Sequence, residues 1–226
     1  MKTAWTQAQE KRFAADSVIE EVLANPTQRR RVDIAVEMIG KAGIVLDVGC
    51  GDGAISELIH NKGNEVIAMD LPEVLATIPE ERRKFLTTME CDASQKPWRG
   101  GWLSMSTTSI HSVFETHDGI PKIKDGQIDA IFAGEIVEHF MDIEPFFTEC
   151  HRVLKPEGKL VITTPNAVRA LNRVAMLMGV VEVWHEWNKG VPHNIRYWTP
   201  KTLQDAVVKY GFKPEKMATA PSQAEG

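Results

Sequence analysis

The sequence predicts an α/β fold in which a doubly wound, mainly parallel sheet carries helices on both faces and follows an N-terminal helical extension. Short apolar segments alternate with amphipathic ones between residues 44 and 164, which is the pattern of strands joined by crossover helices. A glycine-rich stretch follows the first apolar segment, where such sheets turn from strand into helix. A length of 226 residues and a hydrophobic content of 43% suit one domain with a sizeable core.

The helical extension is predicted over residues 1–42, as two helices at residues 6–24 and 28–41. The pair Asn25-Pro26 separates them, because proline does not fit inside a helix. In the second helix, apolar residues recur at helical spacing and define one buried face, formed by Val32, Ala35, Val36 and Ile39. This face is expected to pack against the rest of the protein.

The sheet domain is predicted over residues 43–219, with a disordered tail at residues 220–226. Five buried strands are expected at Ile44–Val48, Glu65–Asp70, Phe85–Cys91, Ile128–Ala133 and Lys159–Thr164. Helices are expected between or after them, at residues 54–61, 72–78, 143–154 and 200–210. A last strand is predicted at Phe212–Ala218, after the helix stop at Gly211.

Two long stretches interrupt this alternation, at residues 97–127 and 166–198. Both follow the carboxyl ends of predicted strands, where ligands bind in open α/β sheets. They are interpreted as functional loops without regular sheet structure. Their tryptophans form either the wall of an acceptor pocket or a small core under the loops, and these are Trp98, Trp102, Trp184, Trp187 and Trp198.

The composition limits which partners and which cellular compartment are expected for this protein. The net charge is −5 and the pI is about 5.8, so no overall basic field would attract nucleic acid. The basic runs Arg29-Arg30-Arg31 and Arg82-Arg83-Lys84 are interpreted as solvated helix faces. The three cysteines show no disulfide or zinc spacing, and the sequence has neither a signal peptide pattern nor an apolar run long enough to span a membrane. A cytoplasmic protein is expected.

The stretch VLDVGCGDGA raises the question of which nucleotide this fold binds. It contains Gly49, Gly51 and Gly53 together with two acids, Asp47 and Asp52. A carboxylate about 6 Å from a phosphate costs about 3 kcal/mol at an effective dielectric constant near 20, so two acids oppose a pyrophosphate. They suit a nucleoside that has a positive centre and no phosphate, and S-adenosylmethionine is such a ligand.

Acids also end the next two predicted strands. Asp70 lies at the end of the second strand, where a carboxylate can accept both ribose hydroxyls. Asp92 follows the third strand, where it and the Ala93 backbone N–H fit the edge of an adenine. The structural alternatives are a plain tight turn for the glycines and a helix cap for each aspartate.

Five segments in this order resemble the motifs of class I S-adenosylmethionine-dependent methyltransferases, especially the group that includes the ubiquinone-biosynthesis O-methyltransferases. They are VLDVGCGDG, AMDLPE, ECDA, IDAIFAGEIVEHF and RVLKPEGKLVITTPN, and the resemblance covers about residues 40–215. It implies a Rossmann-like sheet and S-adenosylmethionine as cofactor. One departure concerns the end of the sheet, because this family has a closing two-stranded hairpin and only one candidate strand remains here after Gly211.

The resemblance implies backbone contacts from the three glycines to the cofactor, with Asp47 near its amino end. Asp70 would hold the ribose and Asp92 the adenine amino group, while Gly134 and Glu135 would flank the methionine portion. The full predicted cofactor-binding set is Asp47, Gly49, Cys50, Gly51, Asp52, Gly53, Asp70, Leu71, Asp92, Ala93, Gly134 and Glu135.

The segment GEIVEHF is predicted to carry the chemistry. On a helical turn, Glu135, Glu138 and His139 would lie near one side, and His193 would approach them from the loop after the fifth strand. The predicted catalytic residues are His139, His193 and Glu135. The alternative is a divalent metal site formed by all four residues, such as Mg²⁺ or Mn²⁺. A structural role for His139 remains a third interpretation.

The predicted function is methyl transfer from S-adenosylmethionine, most readily to an oxygen of a small molecule. Two alternatives stay open. The four-residue Glu/Glu/His/His set resembles that of metal-dependent RNA 3′-terminal 2′-O-methyltransferases, although the acidic charge makes a nucleic-acid partner unlikely. The other alternative is a protein that binds the cofactor without transferring its methyl group. The sequence leaves the oligomeric state and the acceptor open.

Overall fold

A computed structural model describes residues 23–104, 110–118, 120–179 and 194–220. Its main sheet has six strands in the order β4-β3-β2-β1-β7-β8, and a separate hairpin consists of β5 and β6. The strands are β1 Ile44–Val48, β2 Glu65–Asp70, β3 Thr87–Glu90, β4 Trp102–Ser104, β5 Phe114–His117, β6 Ile120–Ile123, β7 Ile128–Gly134 and β8 Leu154–Thr163. All neighbours in the main sheet pair in parallel except β3 and β4. The predicted fold class is therefore confirmed.

The helices cover both faces of this sheet. They are α1 Pro26–Ile39, α2 Ala54–His60, α3 Pro72–Leu75, α4 Glu80–Arg83, α5 Glu144–Val153, α6 Ala170–Leu177 and α7 Pro200–Lys209. Successive side chains of β1 point to opposite faces, so Val45 packs in one core and Leu46 in the other. The core around Val45 includes residues of α1 and α2, and the core around Leu46 includes residues of α5 and α7.

The strand order creates a crevice at the carboxyl end of β1. β1 pairs with β2 on one side and with β7 on the other, so the chain crosses over to opposite edges from this strand. A parallel sheet opens at such a switch point, because the connections to the two neighbours leave in opposite directions. The ends of β1, β2 and β7 therefore bring the predicted acidic residues to one edge.

Asn64 fixes the opposite end of β1. Its side-chain oxygen accepts hydrogen bonds from the backbone N–H groups of Ala42 and Gly43, at 2.8 and 3.1 Å. Its amide nitrogen donates to the carbonyls of Gly40 and Ile59, both at 2.9 Å. One buried side chain thus joins the ends of α1 and α2 to the start of the central strand.

α1 is continuous with the core. It begins at Pro26, and Asn25 caps it by accepting a hydrogen bond from Gln28 N–H at 3.3 Å. The four residues of the predicted buried face, Val32, Ala35, Val36 and Ile39, are all buried in the core shared with α2. Most of the predicted first helix lies outside the described residues, and the domain boundary at residue 42 stays a prediction.

The stretch from residue 97 to 127 contains more regular structure than predicted. Its described part holds β4, a 3₁₀ turn at Ile110–Val113 and the β5–β6 hairpin. The buried carboxylate of Glu149 in α5 joins this insertion to the helix. It accepts a hydrogen bond from Trp98 N–H at 2.7 Å and forms an ion pair with Arg152 at 2.6 Å. Arg152 also donates to the carbonyl of Ile123 at 2.6 Å. The expectation of a structureless loop was wrong here.

The predicted last strand is also wrong. Residues 212–218 form no strand, and among the described residues no strand follows β8. Phe212 packs against Phe147 and His151, but residues 213–219 are exposed. The sequence Lys213-Pro214-Glu215-Lys216 explains the difference, because proline lacks a ladder N–H and the run offers no apolar face to bury.

In the described part of the chain, no helix is long and apolar enough to cross a membrane.

Replacing Asn64 should destabilise the fold strongly. Asn64→Ala removes the partner of two partly buried N–H groups, those of Ala42 and Gly43, and of the Gly40 carbonyl, and each such group costs about 1–3 kcal/mol. We expect the free energy of unfolding in urea to fall by at least about 3 kcal/mol. Asn64→Asp should also destabilise, because it keeps the acceptor but loses both donors. The control is Asn61→Ala at an exposed position, and an equal loss there would contradict this role.

Candidate functional site

The glycine turn, residues 49–53, follows β1 and has a backbone conformation that disfavours side chains at its three glycines. Its three glycines all have positive φ angles: +75° at Gly49, +58° at Gly51 and +79° at Gly53. A Cβ atom on Gly49 would lie 2.5 Å from Cδ1 of Ile136, which follows β7. The Gly49 N–H donates to the carbonyl of Met69 in β2 at 2.8 Å. The turn is thus held between the two neighbours of β1, in a backbone conformation that favours glycine at all three positions.

Asp70 connects the end of β2 to the glycine turn. Its two carboxylate oxygens accept hydrogen bonds from the N–H groups of Gly51, at 3.0 Å, and Leu71, at 2.7 Å. Burial raises the pKa of Asp70 to about 6, although these two hydrogen bonds lower it. Each oxygen keeps a second lone pair, so the carboxylate can still accept from the hydroxyls of a ribose.

Asp47 lies buried beside the glycine turn, near the end of β1. Its Oδ2 accepts a hydrogen bond of 2.5 Å from the hydroxyl of Ser56 in α2. Burial raises the pKa of Asp47 to about 7; the bond from Ser56 opposes this shift and the charge of Asp70 adds to it. A cation at this edge of the sheet would favour the ionised form of both aspartates.

Asp52 does not face a ligand as a bare charge. Its Oδ1 accepts a hydrogen bond from Ala54 N–H at 3.0 Å, and its Oδ2 lies 3.5 Å from Nη1 of Arg82. The two acids therefore oppose a pyrophosphate less than the sequence indicates, because an arginine compensates Asp52 and burial raises the pKa of Asp47 to about 7.

Asp92 follows β3 at the same sheet edge, and its side chain is exposed. Its Oδ1 accepts hydrogen bonds from the backbone N–H and the hydroxyl of Ser94, at 2.9 and 2.6 Å. Ala93 is buried, and its carbonyl accepts a hydrogen bond of 3.3 Å from the indole of Trp98. The local turn explains one oxygen of Asp92 and leaves its predicted adenine contact untested.

Glu135 follows β7 and forms an ion pair with Arg31 of α1. Its Oε2 lies 2.6 Å from Nη1 of Arg31, and its backbone has a positive φ of 54°. Within the described residues, Nε of Arg31 and Oε1 of Glu135 are both buried without a hydrogen-bond partner. Burial raises the pKa of Glu135 although the arginine charge lowers it. A strained backbone and two orphaned polar atoms are typical of a ligand site.

Glu138 and His139 lie on a short turn after β7, where the sequence predicts a helical turn. Glu138 is buried, and its Oε2 accepts a hydrogen bond of 2.9 Å from the hydroxyl of Thr164, after β8. Burial and the nearby charge of Glu135 raise the pKa of Glu138 to about 8. The His139 side chain is half-buried, and its backbone N–H donates to the carbonyl of Ile136 at 3.0 Å.

The described structure gives no support for the predicted metal site. Among the described residues, no three His, Cys, Asp or Glu side chains converge on a point where a metal ion could bind. Glu135, one of the four predicted ligands, binds Arg31 instead. His193, the fourth predicted ligand and a predicted catalytic residue, lies outside the described residues.

The described aromatic and basic loop residues mainly have structural roles. Trp98 and Trp198 are buried in the core beside α5, which favours the core interpretation over a pocket wall. Arg196 donates to the carbonyls of Phe140 and Met141 after β7, at 2.8 and 2.5 Å. Trp184 and Trp187 lie outside the described residues.

Sequence reasoning missed both arginines that reach this site. Arg31 and Arg82 each belong to a basic run that was interpreted as a solvated helix face, and that interpretation was wrong for these two residues. One signal was available for Arg31: it precedes Ala35 by four residues and Ile39 by eight, so it lies on the buried face of α1. For Arg82 the short helix offers no comparable pattern.

Comparison with known proteins now identifies the family. A family model described as a methyltransferase domain matches residues 46–162, which is more than half of the chain. The chain belongs to this methyltransferase family. The match contains the glycine turn and the acids after β2, β3 and β7, so the family predicted from the motifs is confirmed.

The curated relatives include ubiquinone biosynthesis O-methyltransferases. The mitochondrial protein of Homo sapiens is 28% identical over 74% of this chain and 41% of its own length. That of Bos taurus is 32% identical over 65% of this chain and 37% of its length. A relative from Xanthomonas oryzae is 28% identical over 68% of this chain and 55% of its length. The chain thus spans about half the length of these relatives, or less.

Solved structures show the same fold at low sequence identity. A protein from Pyrococcus horikoshii OT3 is 18% identical with a TM-score of 0.59, covering 88% of this chain and 89% of that one. A SAM dependent methyltransferase from Archaeoglobus fulgidus is 20% identical with a TM-score of 0.54, covering 81% of this chain and 66% of that one.

The raised pKa of Glu138 predicts a stability that depends on pH. From pH 4.5 to pH 8 the folded protein holds a proton that the unfolded chain has released, so stability falls as pH rises, by at most about 1.4 kcal/mol per pH unit. Glu138→Gln should flatten this fall, because glutamine does not titrate in this pH range. The fold should be retained, because the amide oxygen still accepts a hydrogen bond from Thr164. Urea unfolding at several pH values measures it. Glu80→Gln, at an exposed carboxylate, should leave the slope unchanged, and parallel curves for all three proteins would contradict the assignment.

Proposed function

We propose that the protein transfers a methyl group from S-adenosylmethionine to an oxygen of a small molecule. The observation that carries this proposal is the half-buried pair of Arg31 and Glu135, which has one buried, orphaned donor and one buried, orphaned acceptor at the carboxyl end of β7. Membership of the methyltransferase family supports the reaction type. The names of the relatives support an oxygen acceptor.

The orphaned atoms match the amino-acid end of this cofactor. Nε of Arg31 is a donor for a carboxylate, and Oε1 of Glu135 is an acceptor for an ammonium group. Asp70 would accept from the ribose hydroxyls, and Asp92 with Ala93 would contact the adenine. The remaining contacts would come from the backbone of the glycine turn and its neighbours, namely Gly49, Cys50, Gly51, Gly53, Leu71 and Gly134.

The carboxyl groups at this sheet edge favour a cationic ligand. Burial raises the pKa of Asp47, Asp70, Glu135 and Glu138, so their ionised forms are costly without positive charge nearby. Arg31 supplies one positive group, and an ammonium and a sulfonium would supply two more. An anionic dinucleotide would add negative charge instead.

When bound, the cofactor supplies an electrophilic methyl group, and the protein has to align the acceptor with it and exclude water. His139 lies next to Glu138 on the turn after β7. We assign it as the base that takes the proton of the acceptor. Its half-buried side chain is consistent with contact to a bound substrate. His193 keeps its predicted role as a second catalytic residue.

A small-molecule acceptor has more support than an RNA end. The RNA alternative requires the four-residue metal site, and Glu135, one of its members, forms an ion pair with Arg31 instead. The net charge of −5 offers little attraction to a polyanion.

Replacing Arg31 should weaken the affinity for the cofactor. We expect Arg31→Gln to weaken S-adenosylmethionine binding at least tenfold in calorimetry, since a charge-assisted pair contributes about 1.5–3 kcal/mol. The matched control is Arg30→Gln, which removes the same charge from an exposed position of the same helix. Equal losses in the two variants would point to a general charge effect and contradict the assignment.

Methyl transfer itself is tested with methyl-labelled cofactor and extract from the source cells, separated by size. Label in the small-molecule fraction would support the proposal, and His139→Gln should abolish most of it while retaining cofactor affinity. Label in large material that nuclease removes would instead favour the RNA alternative. Cofactor binding without transfer to either fraction would favour a non-catalytic protein.

A further inference from the structure

Arg82 is a buried charge that the proposed chemistry does not use. It lies in the last turn of the short helix α4, and only 9% of its surface is exposed. Arginine is seldom buried to this extent unless a partner compensates its charge, because desolvation of the guanidinium is costly. Its partners therefore indicate why the chain places it there.

Those partners lie on the glycine turn and the helix that follows it. Nη1 of Arg82 donates to the carbonyl of Asp52 at 3.3 Å and lies 3.5 Å from its carboxylate. Nε donates to the carboxylate of Glu57 in α2 at 2.9 Å. One guanidinium thus binds both the backbone and the side chain of the residue between Gly51 and Gly53.

The same segment packs directly under the turn. A Cβ atom on Gly53 would lie 3.1 Å from Cδ1 of Leu86 and 3.8 Å from Cδ of Arg82. The glycine turn therefore packs against the segment between β2 and β3, and Arg82 provides a charged contact between the two. Since closely spaced glycines have many accessible conformations, an external hydrogen bond is an effective way to fix one of them.

We infer that Arg82 is a positioning residue, which holds the glycine turn in its ligand-binding conformation through Asp52 and compensates the charge of that carboxylate. The inference rests on the proposed function, because the turn is taken to bind S-adenosylmethionine. It assigns no contact between Arg82 and the cofactor. It predicts that loss of Arg82 affects cofactor affinity more than turnover at saturating cofactor.

The neighbouring Arg83 provides a matched control. It belongs to the same basic run and donates to the carbonyls of Leu75, Ala76 and Ile78, at 3.0, 2.9 and 2.8 Å. These three carbonyls belong to α3 and the segment after it, and not to the glycine turn. Arg83→Gln therefore removes the same charge and a comparable number of hydrogen bonds, and tests whether stability alone controls affinity.

The experiment measures the dissociation constant for S-adenosylmethionine by calorimetry and the melting temperature of five proteins: wild type, Arg82→Gln, Arg83→Gln, Asp52→Asn and the double variant Arg82→Gln/Asp52→Asn. We expect Arg82→Gln to weaken binding about tenfold or more, and Arg83→Gln to change it less than twofold at a similar loss of melting temperature. With an acceptor in hand, KM for the cofactor should rise in Arg82→Gln while kcat changes less than twofold.

The double variant separates positioning from general destabilisation. The Asp52→Asn change retains an oxygen that accepts from Ala54 N–H, and it removes the buried charge that Arg82 no longer compensates. We therefore expect the double variant to bind at least threefold more tightly than Arg82→Gln. Affinity losses that multiply, or that follow the melting temperature in all variants, would overturn the inference. Failure of the wild type to bind would instead contradict the proposed function.

Discussion

The tight exit of the chain from β1 is the constraint on which the rest of the site depends. Gly49 has a φ of +75°, which residues with a side chain rarely adopt, and a Cβ atom there would force the Ile136 side chain after β7 to shift. The parallel pairing of β1 with β2 and β7 brings the glycine turn, the end of β2 and the turn after β7 to the same edge of the sheet. Asp70 then joins two of these segments by hydrogen bonds to Gly51 and Leu71.

Charge compensation is the second theme of the site. Carboxyl groups gather at the ends of β1, β2 and β7, and burial raises the pKa of several of them. Two arginines from distant segments offset this charge, Arg31 at Glu135 and Arg82 at Asp52. The two guanidinium groups differ in their hydrogen bonding. Arg82 donates through both Nε and Nη1, whereas Arg31 keeps an orphaned Nε beside an orphaned carboxylate oxygen. The first arrangement supports the backbone, and the second has capacity left for a ligand.

Most of the fold could be predicted from the sequence, and less of the site. The five parallel strands and the helices between them follow from local apolar patterns, which also place Asp47, Asp70 and Glu135 at the correct strand ends. The insertion was harder to predict, because β4, β5 and β6 are three to four residues long and lack a clear alternation. Long-range contacts stabilise them: β4 pairs with β3, and Arg152 of α5 donates to the carbonyl of Ile123 at the end of β6. The predicted strand at 212–218 does not form. Its position after the last helix suits a strand, but its residues offer no apolar face to bury.

The sequence by itself determined the strand-to-turn pattern, the acids that end the strands and the family to which the chain belongs. These features depend on residues within a few positions of one another and on the parallel order of the strands. Only the tertiary structure decided which member of each basic run turns inward, that Trp98 and Trp198 are buried, and that Glu135 has an arginine partner. The physical reason is that such contacts join residues far apart in the chain, as with Arg31 and Glu135, so their geometry exists only once the sheet and its helices have packed.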